Sequence, residues 1–255
     1  MENYSHSRLD ILRKCFLNYK YKYEDKLPEV QDKTASDFGE VCHLISENYR
    51  GGGKPEILHH YRSLVPTKYK LNEYYTNKLP IAFKNISSIY NKYLKDDNIL
   101  EIKRETDLNL NVVLTEEISI NGKIDLFIKY KTGRIKIIDY KTNKAKRNNY
   151  TNQLSMYKLL IHKTFDVPYD MMDTDIVYLA LDDKTKQGDI ILNTGSENII
   201  HPYDITDTDV YCLTEEIKEL HNKIKISRDK KEWSSNPTWF NCTYCAFCDN
   251  CPKRY

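Results

Sequence analysis

The chain has 255 residues, 40% hydrophobic and 30% charged, which excludes collagen-like and disordered classes and is long enough to bury a sizeable core. Its formal charge is +2, from 39 basic and 37 acidic residues, so the total neither demands nor denies a nucleic-acid partner. No apolar run approaches the ~20 residues needed to cross a bilayer, and residues 1–10 are too polar for a signal peptide, so the expected location is cytoplasmic, with no membrane partner.

In chain order, Ser7 is placed to cap a helix carrying Leu9, Leu12 and Phe16. Ser36 is placed to cap a second, with Phe38, Cys42, Ile45 and Tyr49, that Gly51-Gly52-Gly53 ends. A third helix is expected over residues 80–94, starting at Pro80, with Ile81, Ile86, Ile89, Tyr90 and Tyr93 on its apolar side. Between 99 and 140 the pattern changes to short β-rich runs at 112–114, 118–120, 124–130 and 135–140. Asn121-Gly122 and Lys131-Thr132-Gly133 separate them, which reads as a meander of strands. A helix over 152–165 follows, then strands near 176–181 and 190–192, then an amphipathic helix with Val210, Leu213, Ile217, Leu220 and Ile224. Helices before and after a central mixed β-sheet make the expected fold class α/β. Without a repeat, linker or low-complexity tail, residues 1–255 are expected to form a single domain: a helical part over 1–98, a sheet core over 99–200, and a C-terminal helix and cysteine cluster over 201–255.

The chemistry concentrates in the last hairpin of the meander. If Lys131-Thr132-Gly133 is a three-residue turn with Gly133 in the left-handed conformation, Tyr130 pairs with Arg134, and Asp125 falls directly across from Asp139. Lys141, two residues on, shares that face because strand side chains alternate. Like charges opposite one another repel unless a cation lies between them. Mg²⁺ or Mn²⁺ takes carboxylate oxygens and can activate water against a phosphodiester. The alternative is a solvated ion pair, since Asp182-Asp183-Lys184 and Asp229-Lys230-Lys231 match the same D-x-K pattern without such a setting.

Seven cysteines include four within ten residues, Cys242, Cys245, Cys248 and Cys251, and this C-x-x-C spacing favours metal over disulfides.

Gly122-Lys123-Ile124-Asp125, then Ile137-Ile138-Asp139-Tyr140-Lys141-Thr142, then Tyr150-x-x-Gln153-x-x-x-Tyr157 resemble the motifs of PD-(D/E)XK nucleases of the RecB type. Gly39-Glu40-Val41-Cys42-His43 resembles their G-x-x-x-H helix. Ser5-His6-Ser7-Arg8-Leu9 before Cys15, with Cys242, Cys245 and Cys251 as C-x-x-C-x5-C, resembles the iron-sulfur branch that includes the AddB nuclease domain and the CRISPR-adaptation nucleases. The resemblance implies a restriction-endonuclease-like core whose ends meet at a [4Fe-4S] cluster held by Cys15, Cys242, Cys245 and Cys251. It implies Mg²⁺ or Mn²⁺ on His43, Asp125 and Asp139, and catalytic roles for Asp125, Asp139, Lys141, Gln153 and Tyr157. Gln153, Tyr157 and Tyr150 are implied to lie against DNA, and the basic run Lys144, Lys146 and Arg147 suits a phosphate track. Cys248 departs from the family pattern, and Ile124 stands where the family has Pro. Zinc held locally by Cys242, Cys245, Cys248 and Cys251 is the competitor; three consecutive two-residue gaps leave little chain to wrap a tetrahedron.

The function implied is a stand-alone, divalent-metal-dependent DNA nuclease, an exonuclease on single-stranded or frayed ends. One alternative is a CRISPR-adaptation nuclease trimming spacer precursors with a protein partner; another is a non-catalytic cluster- or zinc-bearing DNA-binding protein. The Lys-, Asn- and Tyr-rich usage suits a bacterium, a phage or another virus.

Overall fold

The computed structural model describes residues 1–30, 33–49, 59, 61, 63, 67–143, 149–180 and 199–252. Its elements are β1 (Glu2–Tyr4), α1 (His6–Lys14), α2 (Phe16–Tyr19), α3 (Thr34–Asn48), α4 (Glu73–Leu94), β2 (Ile99–Arg104), β3 (Asn109–Val113), β4 (Ile118–Lys123), β5 (Leu126–Tyr130), β6 (Ile135–Lys141), α5 (Thr151–Phe165), β7 (Met172–Tyr178), β8 (Ile200–Pro202), α6 (Asp207–Lys230) and α7 (Trp239–Thr243).

Helix faces follow the apolar periodicity, except that α1 stops at Lys14 and half-buried Phe16 opens α2 after the extended Cys15; helix starts do not follow it. α1 is capped by Ser5, not Ser7: Ser5 has the extended backbone an N-cap requires, and its Oγ accepts from the Arg8 N–H. α3 begins two residues before Ser36, whose hydroxyl donates to the Lys33 carbonyl from inside the first turn, while Phe38, Cys42, Ile45 and Tyr49 are all buried. Pro80 lies inside α4 instead of opening it. Asn72 caps that helix, and burial of Leu79 and Ala82 on either side of the proline offsets the backbone hydrogen bond it cannot make. Ile86, Ile89, Tyr90 and Tyr93 are buried there, and Ile81 only partly. All five expected apolar residues of α6 are buried.

The strands form two mixed sheets instead of one meander. A five-stranded sheet runs β2-β5-β6-β7-β8, with only β6 and β7 parallel, and a three-stranded sheet runs β1-β4-β3, with β1 parallel to β4. α5 packs on β3 and β4 and on α6, while α3 packs on α4. The architecture is α/β, mixed sheets flanked by helices. β7 starts earlier than expected, at Met172, and the strand expected at 190–192 lies outside the described residues. No helix among the described residues is long and apolar enough to cross a membrane.

Two glycines set the local course of these strands. Gly133 has φ +86 and closes the expected turn, with its N–H on the Tyr130 carbonyl at 2.9 Å and the Tyr130 N–H on the Arg134 carbonyl at 2.9 Å. Asn121 and Gly122 do not turn the chain; they pair with Asn111 and Leu110 inside β4. A Cβ at Gly122 would lie 2.8 Å from Leu160 Cδ1 and 3.6 Å from Tyr157 Cε1, so this glycine lets α5 close onto the strand. Gly122→Val is therefore expected to destabilise the protein by about 1–3 kcal/mol in urea unfolding, despite the better β propensity of valine. Unchanged or increased stability would show that the α5 contact does not need the glycine.

Candidate active site

Three acidic residues come side by side just past the paired ends of three neighbouring strands. Arg104 pairs with Leu126, and Leu126 with Ile138; one residue beyond come Glu105, Asp125 and Asp139. Asp125 and Asp139 are buried, at 6% and 1% exposure. α3 delivers His43 above them, its Nδ1 3.1 Å from Asp125 Oδ1 and 3.4 Å from Glu105 Oε2. Asp125 Oδ2 accepts the Tyr140 N–H at 2.6 Å, which fixes that carboxylate against β6. Among the described residues, His43, Glu105 and Asp125 are the group of three donors whose ligand atoms lie within 4.8 Å of one another. They open into a cleft of about 500 Å³ that Lys68, Tyr69 and Lys123 also line.

Each carboxylate of the row has its own cation. His43 faces Asp125 and Glu105, Lys123 Nζ lies 3.3 Å from Glu105 Oε1, and Lys141 Nζ lies 2.6 Å from Asp139 Oδ2. Burial works to lower the pKa of His43, but the attraction of Asp125 and then Glu105 outweighs it and raises the value to about 10. The hydrogen bond from His43 holds the Glu105 carboxyl below its usual range, with Lys123 adding to the effect. Burial raises the Asp139 pKa to about 6, opposed by Lys141 and reinforced by Asp125.

Asp139 faces α5 instead of joining the group around His43. Its Oδ1 accepts from Gln153 Nε2 at 2.8 Å and from the Tyr157 hydroxyl at 3.2 Å. Gln153 Oε1 accepts from Lys141 Nζ at 2.8 Å, and Gln153 Nε2 also lies 2.9 Å from the Tyr157 oxygen. Gln153 and Tyr157, one helical turn apart, thus clasp the aspartate and lysine of β6. Tyr150 is buried beneath Lys141, whose Nζ sits 5.1 Å from the ring centroid, and Asn143 donates to its hydroxyl at 3.4 Å. Lys144, Lys146 and Arg147 lie outside the described residues.

A family model described as the PD-(D/E)XK nuclease superfamily matches residues 3–252. The chain belongs to the PD-(D/E)XK nuclease superfamily. Superfamily membership makes it a metal-dependent nuclease with a DNA substrate, and the carboxylate-imidazole group is its candidate metal site. A search of curated proteins finds no match. Among solved structures, one titled "Crystal structure of SSO0001" is 15% identical, covering 94% of this chain and 96% of that one with a TM-score of 0.40. Another, protein VC1899 from Vibrio cholerae, is 13% identical, covering 88% of this chain and 57% of that one with a TM-score of 0.28. Scores of this size carry no argument about function.

In this PD-(D/E)XK chain, Cys15, Cys242, Cys245, Cys248 and Cys251 line one cavity of about 100 Å³. Cys15 stands between α1 and α2, and Asn18 Nδ2 donates to Cys245 Sγ at 3.4 Å. Burial raises the Cys245 thiol pKa, and Cys15, Cys248 and Cys251 add to the rise.

Glu105 is the site residue that the sequence reading missed. In the metal-free protein, the raised Asp139 pKa means that the folded state binds a proton more tightly than the unfolded one. Ionised Asp139 therefore costs stability as pH rises from about 4 through 6. The melting temperature of Asp139→Asn, relative to the parent, is expected to increase over that interval. A difference that stays flat or falls with pH would show that Lys141 fully compensates the buried charge.

Proposed function

We propose that this nuclease is an exonuclease of the RecB type that acts on single-stranded or frayed DNA ends with Mg²⁺ or Mn²⁺ and carries a [4Fe-4S] cluster between its two chain ends. The observation that carries the nuclease reading is that Asp125 lies between Glu105 and Asp139 and under His43, with Lys141 on Asp139.

His43, Asp125 and Asp139 would hold the ion, with Glu105 as a further oxygen donor; the three carboxylates are the hard donors that suit Mg²⁺ or Mn²⁺. When bound, the ion supplies Lewis acidity toward a phosphodiester oxygen and toward water. The residues do the rest. His43 gives up its imidazolium proton when it becomes a ligand. Lys141, held by Gln153 and by the Tyr150 ring, keeps an ammonium beside Asp139, where negative charge builds up during phosphodiester attack. Gln153 fixes the spacing of Asp139 and Lys141 through one amide, which makes it a positioning residue. The preference for ends rests on the likeness of the motif set, with its Q-x-x-x-Y element, to RecB-type nucleases.

The cluster reading is supported by the wall of thiols. Successive cysteines in the tail are joined by N–H to carbonyl bonds of 3.2 Å, from Cys245 to Cys242, Cys248 to Cys245 and Cys251 to Cys248. Cys15, from the opposite end of the chain, shares that wall, which suits a cluster bridging the two ends better than a zinc ion held by the tail alone.

The test uses end-labelled linear single-stranded DNA beside circular single-stranded DNA. The parent is expected to release nucleotides from linear DNA with Mg²⁺ or Mn²⁺ and to leave circles intact. Asp139→Ala should abolish release while retaining the folded circular-dichroism spectrum. Gln153→Leu is expected to lower turnover about 10²-fold with unchanged DNA affinity. Parental rates from Asp139→Ala would refute the site, and cleavage of circles as fast as of linear DNA would refute the exonuclease mode.

A further inference from the structure

A [4Fe-4S] cluster takes four thiolates, and five cysteines wall the cavity. From Cys245 on, each tail cysteine N–H bonds the carbonyl of the cysteine three residues before it, at 3.2 Å, although Cys242 belongs to α7 and only Cys248–Asn250 forms a 3₁₀ turn. All four tail cysteines line the cavity together with Cys15 from the opposite end of the chain. Cys248 is therefore in place for the cluster, although the spacing of the family's motif passes over it.

The five are not anchored alike. Cys15 is fixed by its N–H on the Ile11 carbonyl, and Cys242, inside α7, by its N–H on the carbonyl of Thr238, the residue that caps the start of that helix. Cys245 is clasped through its sulfur by Asn18. The tail is then pinned between Cys245 and Cys248 by buried Phe247, whose ring meets Tyr21, and by the Val30 N–H on the Ala246 carbonyl. Cys248 directly follows this plug. Cys251 follows one further short 3₁₀ turn, fastened at Asn250 by the Tyr21 hydroxyl at 3.3 Å. The better-anchored backbone thus belongs to the cysteine outside the family pattern.

We propose that Cys248 and Cys251 are alternative ligands for one corner of the cluster, so that either thiolate completes the set begun by Cys15, Cys242 and Cys245. The inference rests on the cluster reading above. The exchange is a replacement of one thiolate by another. One Fe–Sγ bond breaks as the other forms, the proton of the incoming thiol passes to the outgoing thiolate, and no electron is transferred. Its consequence is a cluster that survives loss of either thiol to oxidation.

The experiment uses the full chain purified anaerobically as the parent, Cys248→Ala, Cys251→Ala and the double variant. Iron and acid-labile sulfide are measured per chain, followed by brief alkylation with iodoacetamide and mass spectrometry, with exposed Cys212 as the internal standard. The expected result is parental iron and sulfide in both single variants and loss in the double. Cys248 of the Cys251→Ala protein should resist alkylation relative to Cys212. Depletion of either single variant, retention by the double, or alkylation of Cys248 at the Cys212 rate would overturn exchange. If the double variant fails to fold, the iron content of the singles and the labelling of Cys248 decide alone. A parent without iron and sulfide would refute the cluster reading itself, a result distinct from a loaded parent whose single variants lose the cluster.

Discussion

The constraint on which the rest of the molecule turns is electrostatic: three carboxylates, Glu105, Asp125 and Asp139, stand at adjacent positions across three strands, two of them almost fully buried. Burial and mutual repulsion both oppose such a row. Every neighbouring element contributes to holding it. α3 brings the imidazolium of His43, β4 ends in Lys123, and β6 carries Lys141. The Tyr140 backbone holds one oxygen of Asp125, and Gln153 and Tyr157 of α5 hold Asp139. Gly122 in turn lets α5 approach closely enough to do so. Removing one partner from a buried ion pair typically costs about 3–5 kcal/mol, so these contacts act as a set. A divalent cation offers the same compensation at one point, which links the fold to metal-dependent chemistry.

How much of this was legible depended on how each strand pairing is specified. The β5-β6 register could be read because a three-residue turn ending in Gly133 fixes it locally, and that placed Asp125 near Asp139. Glu105 obeys the same rule in the pairing of β2 with β5. But β3 and β4 intervene, no tight turn sets the register, and the charged run Lys103-Arg104-Glu105 gives no sign of its neighbour. Asn121-Gly122 has the composition of a turn, yet its glycine answers to a helix packed from elsewhere in the chain. Apolar faces of the helices were readable from periodicity because burial selects them residue by residue, as in α6. Their starts were not, because Ser5 and Ser7, or Lys33 and Ser36, compete within a few residues.

The chain ends show how distant parts meet. β1 lies beside β4, Arg13 pairs with Glu216 at 2.7 Å, and Arg228 pairs with both Glu2 and Glu24. These contacts bring α1 against α6 and leave Cys15 facing the tail cysteines across one cavity. The spacing of the cysteines was visible in the sequence. The path that brings all four tail cysteines to one cavity wall was not, because C-x-x-C is compatible with several backbone paths.

The most direct test is a crystal structure of the protein soaked with Mn²⁺, with data collected at a wavelength that reveals manganese by anomalous scattering. The account predicts a peak about 2.1 Å from a nitrogen of His43 and from oxygens of Asp125 and Asp139, with Glu105 at or beside the ion. A soaked crystal with no peak there, or with manganese held elsewhere while Asp139 stays on Gln153 and Lys141, would contradict it.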